Sequence, residues 1–279
     1  MKKLLTLLIV LVTSLTSAIA EAQMAGSTVP LPTDIAAIKK ANVLIVAMTK
    51  KDVPPFFSGE GDKLHGLDVE IAQRIGVLLG VPVQFRRDAE SFAEVVEQVR
   101  EGKADIAVSK LSVTGPRLQV VRFSDPYVKL RQSLIVNRLW LSQNSQGKET
   151  YQVIRDFNGK ISFIKNSSYD TFARINFPNA TFLPEEKWDV IIDKVSRGDI
   201  AAGYRDEFEI KKIAFEKPDA AISTKTITIA DSVDYIAVAV NPRAIQLLSI
   251  VNYVIKNEYN NIDTKKLMDR YKAETKDKK

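Results

Sequence analysis

Apolar positions along this chain change spacing repeatedly, and each change marks a new element. Residues 43–48 are a compact apolar run, read as a buried strand. From Leu67 the apolar residues Ile71, Ile75, Leu78 and Leu79 return at helical spacing, until Gly80 stops the helix and Pro82 enforces the stop. Residues 81–85 follow as a second strand. A second amphipathic stretch over 91–101 carries Phe92, Val95, Val96 and Val99 as its stripe and ends at Gly102. A strand over 105–108 completes the order strand–helix–strand–helix–strand, the pattern of a parallel sheet covered by helices. Ligands of such sheets sit beyond the carboxyl ends of the strands, which directs attention to the loops 50–57 and 109–114.

The second half repeats this logic without close sequence identity. An extended apolar stretch over 130–136 and a polar, Gly-containing loop over 144–148 lead to a strand over 161–164. The polar turn Lys165-Asn166-Ser167-Ser168-Tyr169-Asp170 then opens a helix. A helix over 188–197 stops at Gly198, and a strand over 200–204 runs into Arg205-Asp206-Glu207. Strands over 226–229 and 235–240, a helix over 244–256 and a last helix near 265–271 complete the pattern. Two similar α/β units with a chain that passes out and back predict a clamshell.

Composition narrows the setting. With 279 residues, 45% of them hydrophobic, the chain can build two medium domains. Residues 1–20 read as a secretory signal peptide: Lys2 and Lys3, an apolar core over 4–12, and a small-x-small cleavage site at Ala18-Ile19-Ala20. The competing reading is a retained N-terminal anchor. Residues 21–37 read as a loose leader. Because the sequence contains no cysteine, its stability rests on packing without disulfides, and it lacks the cysteine that carries a lipoprotein's lipid. A periplasmic protein is the expectation. A formal charge of +6, partly from the signal peptide and the Lys-rich end over 272–279, does not argue for nucleic acid, and no nucleic-acid motif is visible. His65, the single histidine, reads as a surface loop residue ahead of a metal ligand or catalytic base. No cofactor or metal is predicted.

The chemistry concentrates in residues 104–127. A short strand ends in the polar residues Ser109, Lys110 and Ser112. Thr114 is then a suitable N-cap for a helix from about Gly115 or Pro116. A polar turn at a helix N-terminus gathers free backbone N–H groups for an anion, and Arg117 adds a guanidinium that can grip a carboxylate. The plain alternative is a capped helix with a surface arginine that binds nothing.

Asp105, the turn 109–112, Thr114 with Arg117, and Phe123-Ser124-Asp125-Pro126-Tyr127 together resemble the signature of periplasmic solute-binding proteins for polar amino acids, the receptors of ABC importers. The resemblance covers about 43–254. It implies a type II periplasmic-binding-protein clamshell, each lobe a mostly parallel sheet flanked by helices. Lobe 1 is then 38–129 plus 231–279, and 130–230 supplies hinge strands and lobe 2. Two crossover segments near 129–132 and 228–230 act as hinge. It also implies a monomer that delivers an amino acid or related carboxylate to a membrane permease. A ligand sensor without transport, or a dehydratase-type enzyme on the same scaffold, are the alternatives.

Carried over residue by residue, the family pattern gives Arg117 and Ser112 to the ligand's carboxylate, Ser168 to a contact from the opposite lobe, and Asp206 to its ammonium. Asp206 read plainly is a solvated loop acid. Thr114 reads as a cap first and a contact second. Val53 and Phe92 fall where relatives place an apolar wall, and Phe56 and Phe92 read equally well as core. Lys110 stands where Ser or Gly is usual. A side chain in the cleft, near Lys50 or Lys51, favours a ligand with a second carboxylate; a backbone-only contact removes that inference. The stretch Asp234-Tyr235-Ile236-Ala237-Val238-Ala239-Val240 departs from the family pattern and marks a divergent member.

Overall fold

The protein is described here by a computed structural model covering residues 30–260 and 262–276; the proposed signal peptide lies outside them. Among the described residues, ten strands form two five-stranded sheets. In chain order they are β1 (Leu44–Thr49), β2 (Val83–Ala89), β3 (Ile106–Ala107), β4 (Arg122–Phe123), β5 (Val128–Asn137), β6 (Lys160–Ser162), β7 (Thr181–Phe182), β8 (Ala202–Asp206), β9 (Thr224–Ile236) and β10 (Ala239–Val240). The first sheet has the order β2-β1-β3-β10-β4 and the second β7-β6-β8-β5-β9. Within the first, β1 runs parallel to both β2 and β3, and β10 enters antiparallel. This is the mixed α/β, two-lobed architecture that the hydrophobic pattern predicts.

Both faces of the first sheet are covered, which is why β1 is apolar from Leu44 to Met48 rather than alternating. Leu44, Val46 and Met48 enter one core with Ile71, Ile75 and Val251, while Ala47 enters another with Val95, Val99 and Ala107. The second sheet is built likewise: Leu134 and Val136 pack with Phe157 and Phe163, and Ile135 packs with Ile191 and Val195 on the other side. The helix Leu67–Leu79 ends at Gly80 in left-handed geometry, φ 63, as the Gly-Val-Pro break predicts. The helix Trp188–Arg197 likewise ends at Gly198, φ 83.

Several elements differ from the sequence reading. Residues Thr33–Ala41, placed partly in a leader, form a helix that buries Ile35 and Ile38. The Asp34 carboxylate ties this helix to the backbone N–H of Leu247 at 3.0 Å. Residues Arg138–Ser145 form a helix, capped by the Asn137 side chain accepting from the Trp140 N–H at 3.0 Å, before the polar loop begins at Gln146. The helix Glu207–Glu216 follows directly on β8, where the apolar spacing predicts no helix.

The strands expected over 226–229 and 235–240 are one long strand, β9, plus the short β10. β9 pairs antiparallel with β5 from Val128↔Ile236 to Asn137↔Thr224, so a two-stranded ribbon joins the two sheets. Its register breaks between Arg131↔Val233 and Ser133↔Thr228, leaving residues 229–232 as an insertion opposite Gln132. The expected hinge segments meet at this interruption.

Two buried contacts fix the turn after β3. The Asp68 carboxylate, in the first turn of the helix Leu67–Leu79, accepts from the Lys110 backbone N–H at 2.7 Å and from the Tyr127 hydroxyl at 2.9 Å. Burial pushes the Asp68 carboxyl up to about 7, against the lowering effect of those two hydrogen bonds and of the Lys110 charge. Just before it, Gly66 sits at φ 124, and a Cβ there would lie 2.5 Å from the Phe56 carbonyl oxygen.

Two stability measurements follow. Gly66→Ala combines a disallowed φ with a backbone clash and should lower stability by roughly 2–4 kcal/mol in urea unfolding; an unchanged midpoint contradicts the clash. Asp68 holds a proton in the folded protein that the unfolded chain releases near the ordinary pKa of 3.8. Its contribution to stability therefore falls as pH rises from about 4 to 7 and is level above that. Asp68→Asn, which can accept from Lys110 and donate to Tyr127, removes this slope. Relative to the parent, the variant should gain on the order of 3–4 kcal/mol between pH 4 and pH 8. A constant difference across that range refutes it.

Candidate functional site

The carboxyl ends of β1 and β3 in one lobe face those of β6 and β8 in the other, and the polar turns that leave them meet in a small cavity of about 40 Å³. Lys110, Ser112, Arg117 and Phe92 line it from one side; Ser168 and Asp206 line it from the other. Six of the residues singled out in the sequence thus share one cavity. Val53 does not: it lines an adjoining cleft of about 300 Å³, which shares Phe92, Ile164 and Arg205 with the cavity. Thr114 does not line the cavity either. It occupies the N-cap position of Gly115–Leu118, but its side chain makes no capping bond and the helix is a single turn. The anion site expected from a helix N-terminus there is therefore replaced by side chains.

Arg117 is the first of these. Its guanidinium donates from Nη1 to the Ser112 carbonyl oxygen at 2.9 Å, and no carboxylate among the described residues lies within ion-pairing distance. Burial lowers its pKa to about 10, with the Asp234 charge pulling the other way. A half-buried cation without an anion is the electrostatic signature of a site for one. Ser112 lies beside it. Its Oγ donates to Asp234 Oδ2 at 2.9 Å and accepts from Ser168 Oγ, across the gap, at 2.8 Å. The turn before Ser168 requires a left-handed residue, supplied by Asn166 at φ 59.

Asp206 is placed in the cavity, but it is not the free acid the sequence led one to expect. Its Oδ1 caps the helix Glu207–Glu216 by accepting from the Glu209 N–H at 3.0 Å. Its Oδ2 accepts from Lys110 Nζ at 3.0 Å, and the same ammonium donates to Glu209 Oε1 at 2.8 Å. Lys110 therefore reaches the cleft with its side chain, yet its charge meets two of the chain's own acids rather than a second ligand carboxylate. Lys50 is not part of this group; it pairs with Glu90 at the surface. Aromatic rings flank the ammonium, Phe56 at 5.1 Å and Phe208 at 5.5 Å from their centroids. Phe56 is fully buried core. Burial raises the Glu209 carboxyl, but Arg205, Lys110 and Lys212 outweigh that and hold it well below the usual range. His65 is an exposed loop residue whose Nδ1 lies 2.8 Å from the Lys63 carbonyl oxygen.

Asp234, Tyr169 and Tyr204 also line the cavity and were not singled out. Asp234 lies on β9, between exposed Tyr235 and half-buried Val233, on the inward alternation shared with Ile236. An acid on the buried face of an apolar strand was the available signal. Its Oδ2 accepts from Ser112 and, at 3.2 Å, from the Tyr169 hydroxyl. Its Oδ1 is buried with no hydrogen-bond partner. Burial, helped by the Asp206 charge, pushes the Asp234 carboxyl up to about 7, against the bonds from Ser112 and Tyr169. Tyr204 packs edge-on against Tyr169, centroids 4.9 Å apart, and its hydroxyl donates to the Gln132 side chain on β5.

The chain is similar to several known proteins. A membrane-bound lytic murein transglycosylase F from Saccharophagus degradans is 28% identical over 153 residues, which is 54% of this chain but only 28% of that relative's length. Among solved structures, the amino acid ABC transporter substrate-binding protein AbpA of Streptococcus pneumoniae, bound to L-arginine, matches with a TM-score of 0.64 at 25% identity, covering 85% of this chain and 98% of that one. The ancestral amino acid-binding protein AncCDT-1, described as a precursor of cyclohexadienyl dehydratase, shares the fold with a TM-score of 0.65 at 21% identity, covering 86% of this chain and 99% of that one. The family pattern of the bacterial extracellular solute-binding proteins, family 3, is matched over residues 44–274, and the chain belongs to that family.

Proposed function

We propose that this protein is a periplasmic binding protein that captures a small amino acid or amino-acid-like carboxylate and presents it to the permease of an ABC importer. In this reading residues 1–20 direct export, with cleavage near Ala20, and the lobes are 38–129 plus 231–279 and 130–230. The observation that carries it is the Arg117 guanidinium, set between the lobes without a carboxylate of its own. A carboxylate ligand completes the pair, and contact between the lobes removes both charges from water together. Ser112 and Ser168, one from each lobe and already 2.8 Å apart, supply neutral hydrogen-bonding groups at the same point. The family assignment and the arginine-bound relative support the ligand class.

An enzymatic reading has one observation in its favour. Asp234 is a cavity acid pushed up to about 7, the property a general acid needs near neutral pH. Recovery of bound ligand unchanged after prolonged incubation, followed by mass spectrometry, favours capture; stoichiometric or catalytic loss of ligand favours the enzyme.

The capture reading is tested at Arg117. Arg117→Ala should weaken binding of the carboxylate ligand by about 3–5 kcal/mol in calorimetry, because an anion is then buried without its partner. Unchanged affinity in a variant with an unaltered melting temperature rules out this site.

A further inference from the structure

Lys110 makes this cavity unlike a site built for a free amino acid. An amino acid brings an ammonium of its own, and the acid placed to receive it has both oxygens in use. Asp206 accepts from the Glu209 N–H and from Lys110 Nζ, each at 3.0 Å. The position is filled by the chain's own ammonium, which Glu209 holds from the other side at 2.8 Å. Lys110 reaches it from a backbone φ of 47, a left-handed conformation that carries a steric penalty for any residue with a Cβ. Asp68 holds that backbone in place by accepting its N–H at 2.7 Å. Strain kept in place by its surroundings is a mark of a functional position.

What remains unpartnered along the cavity lining is equally specific. Among the described residues Arg117 has no carboxylate partner, and Asp234 Oδ1 is buried without a donor. Across the lining itself, the three cations Lys110, Arg117 and Arg205 stand against the two acids Asp206 and Asp234, the second of them pushed up to about 7, while behind them Lys212 is shared between Glu209 at 3.3 Å and Glu216 at 3.5 Å. The balance calls for an anion, and a zwitterion does not supply a net charge. An ammonium also carries three donors, each of which must find an acceptor once it leaves water. A hydroxyl carries one donor.

We propose that Lys110 is a built-in counter-ion occupying the ammonium position, and that the cavity selects 2-hydroxy acids over 2-amino acids, Arg117 holding the carboxylate and Asp234 Oδ1 accepting from the hydroxyl. This rests on the capture reading above and specifies its ligand.

The test is calorimetric titration of the unliganded protein with matched pairs, L-lactate against L-alanine and L-malate against L-aspartate. The hydroxy member should bind at least tenfold more tightly in each pair that binds. Lys110→Met, which frees Asp206, should narrow or reverse that preference, and Asp234→Asn should weaken the hydroxy acid while sparing propionate. Tighter binding of the amino members to the unaltered protein overturns the proposal, as does silence towards both members of both pairs. The unaltered protein alone decides this, so a Lys110→Met variant that fails to fold leaves the test intact. Amino-acid binding that is lost in Arg117→Ala leaves the capture reading standing and removes only this one; carboxylate binding that survives Arg117→Ala removes both.

Discussion

Charges withdrawn from water between two lobes must find partners, and that constraint organises this protein more than any single element of its fold. Lys110, Asp206, Glu209 and Lys212 satisfy it among themselves, with Arg205 near Glu209 at 3.7 Å. Their pairing draws one lobe's turn onto the other lobe's helix. Arg117 does not satisfy it among the described residues. The same requirement that makes the ion cluster a structural clasp makes Arg117 a place for something else.

The scaffold serves that arrangement. Each sheet is sandwiched between cores, so its strand ends are fixed points, and the polar turns leaving them inherit that rigidity. Asp68 extends this to the backbone of Lys110, while Asp206 and Asn137 start helices with their own side chains. Phe208 shows how closely the two halves interlock: it belongs to a helix that leaves the second sheet, yet it packs in the core of the first, edge-on to Phe56 at 6.0 Å.

Much of this was legible in the sequence because it depends on local rules. Glycine stops, apolar stripes and short apolar strands located the elements of the first lobe to within a few residues. The motif residues Lys110, Ser112, Arg117, Ser168 and Asp206 do share a cavity. The partners of those residues were not legible. That Lys110 Nζ meets Asp206 depends on a contact across 96 positions of chain, and no periodicity encodes it. Asp234 escaped for a related reason: its strand reads as apolar, and only the tertiary contacts with Ser112 and Tyr169 show which face the acid presents. The helices Arg138–Ser145 and Glu207–Glu216 were missed where short polar windows hide a stripe that long-range packing completes.

The interrupted register of the β5–β9 ribbon has a mechanical corollary. The ladder resists a swing of one half against the other least where it lacks regular pairing, at residues 229–232. Gln132 lies at that fulcrum, and Asp234 stands two positions past it. Atoms near an axle sweep short arcs, so Asp234, two residues beyond the interruption, and the Ser112 hydroxyl bonded to it at 2.9 Å move little relative to one another in such a swing.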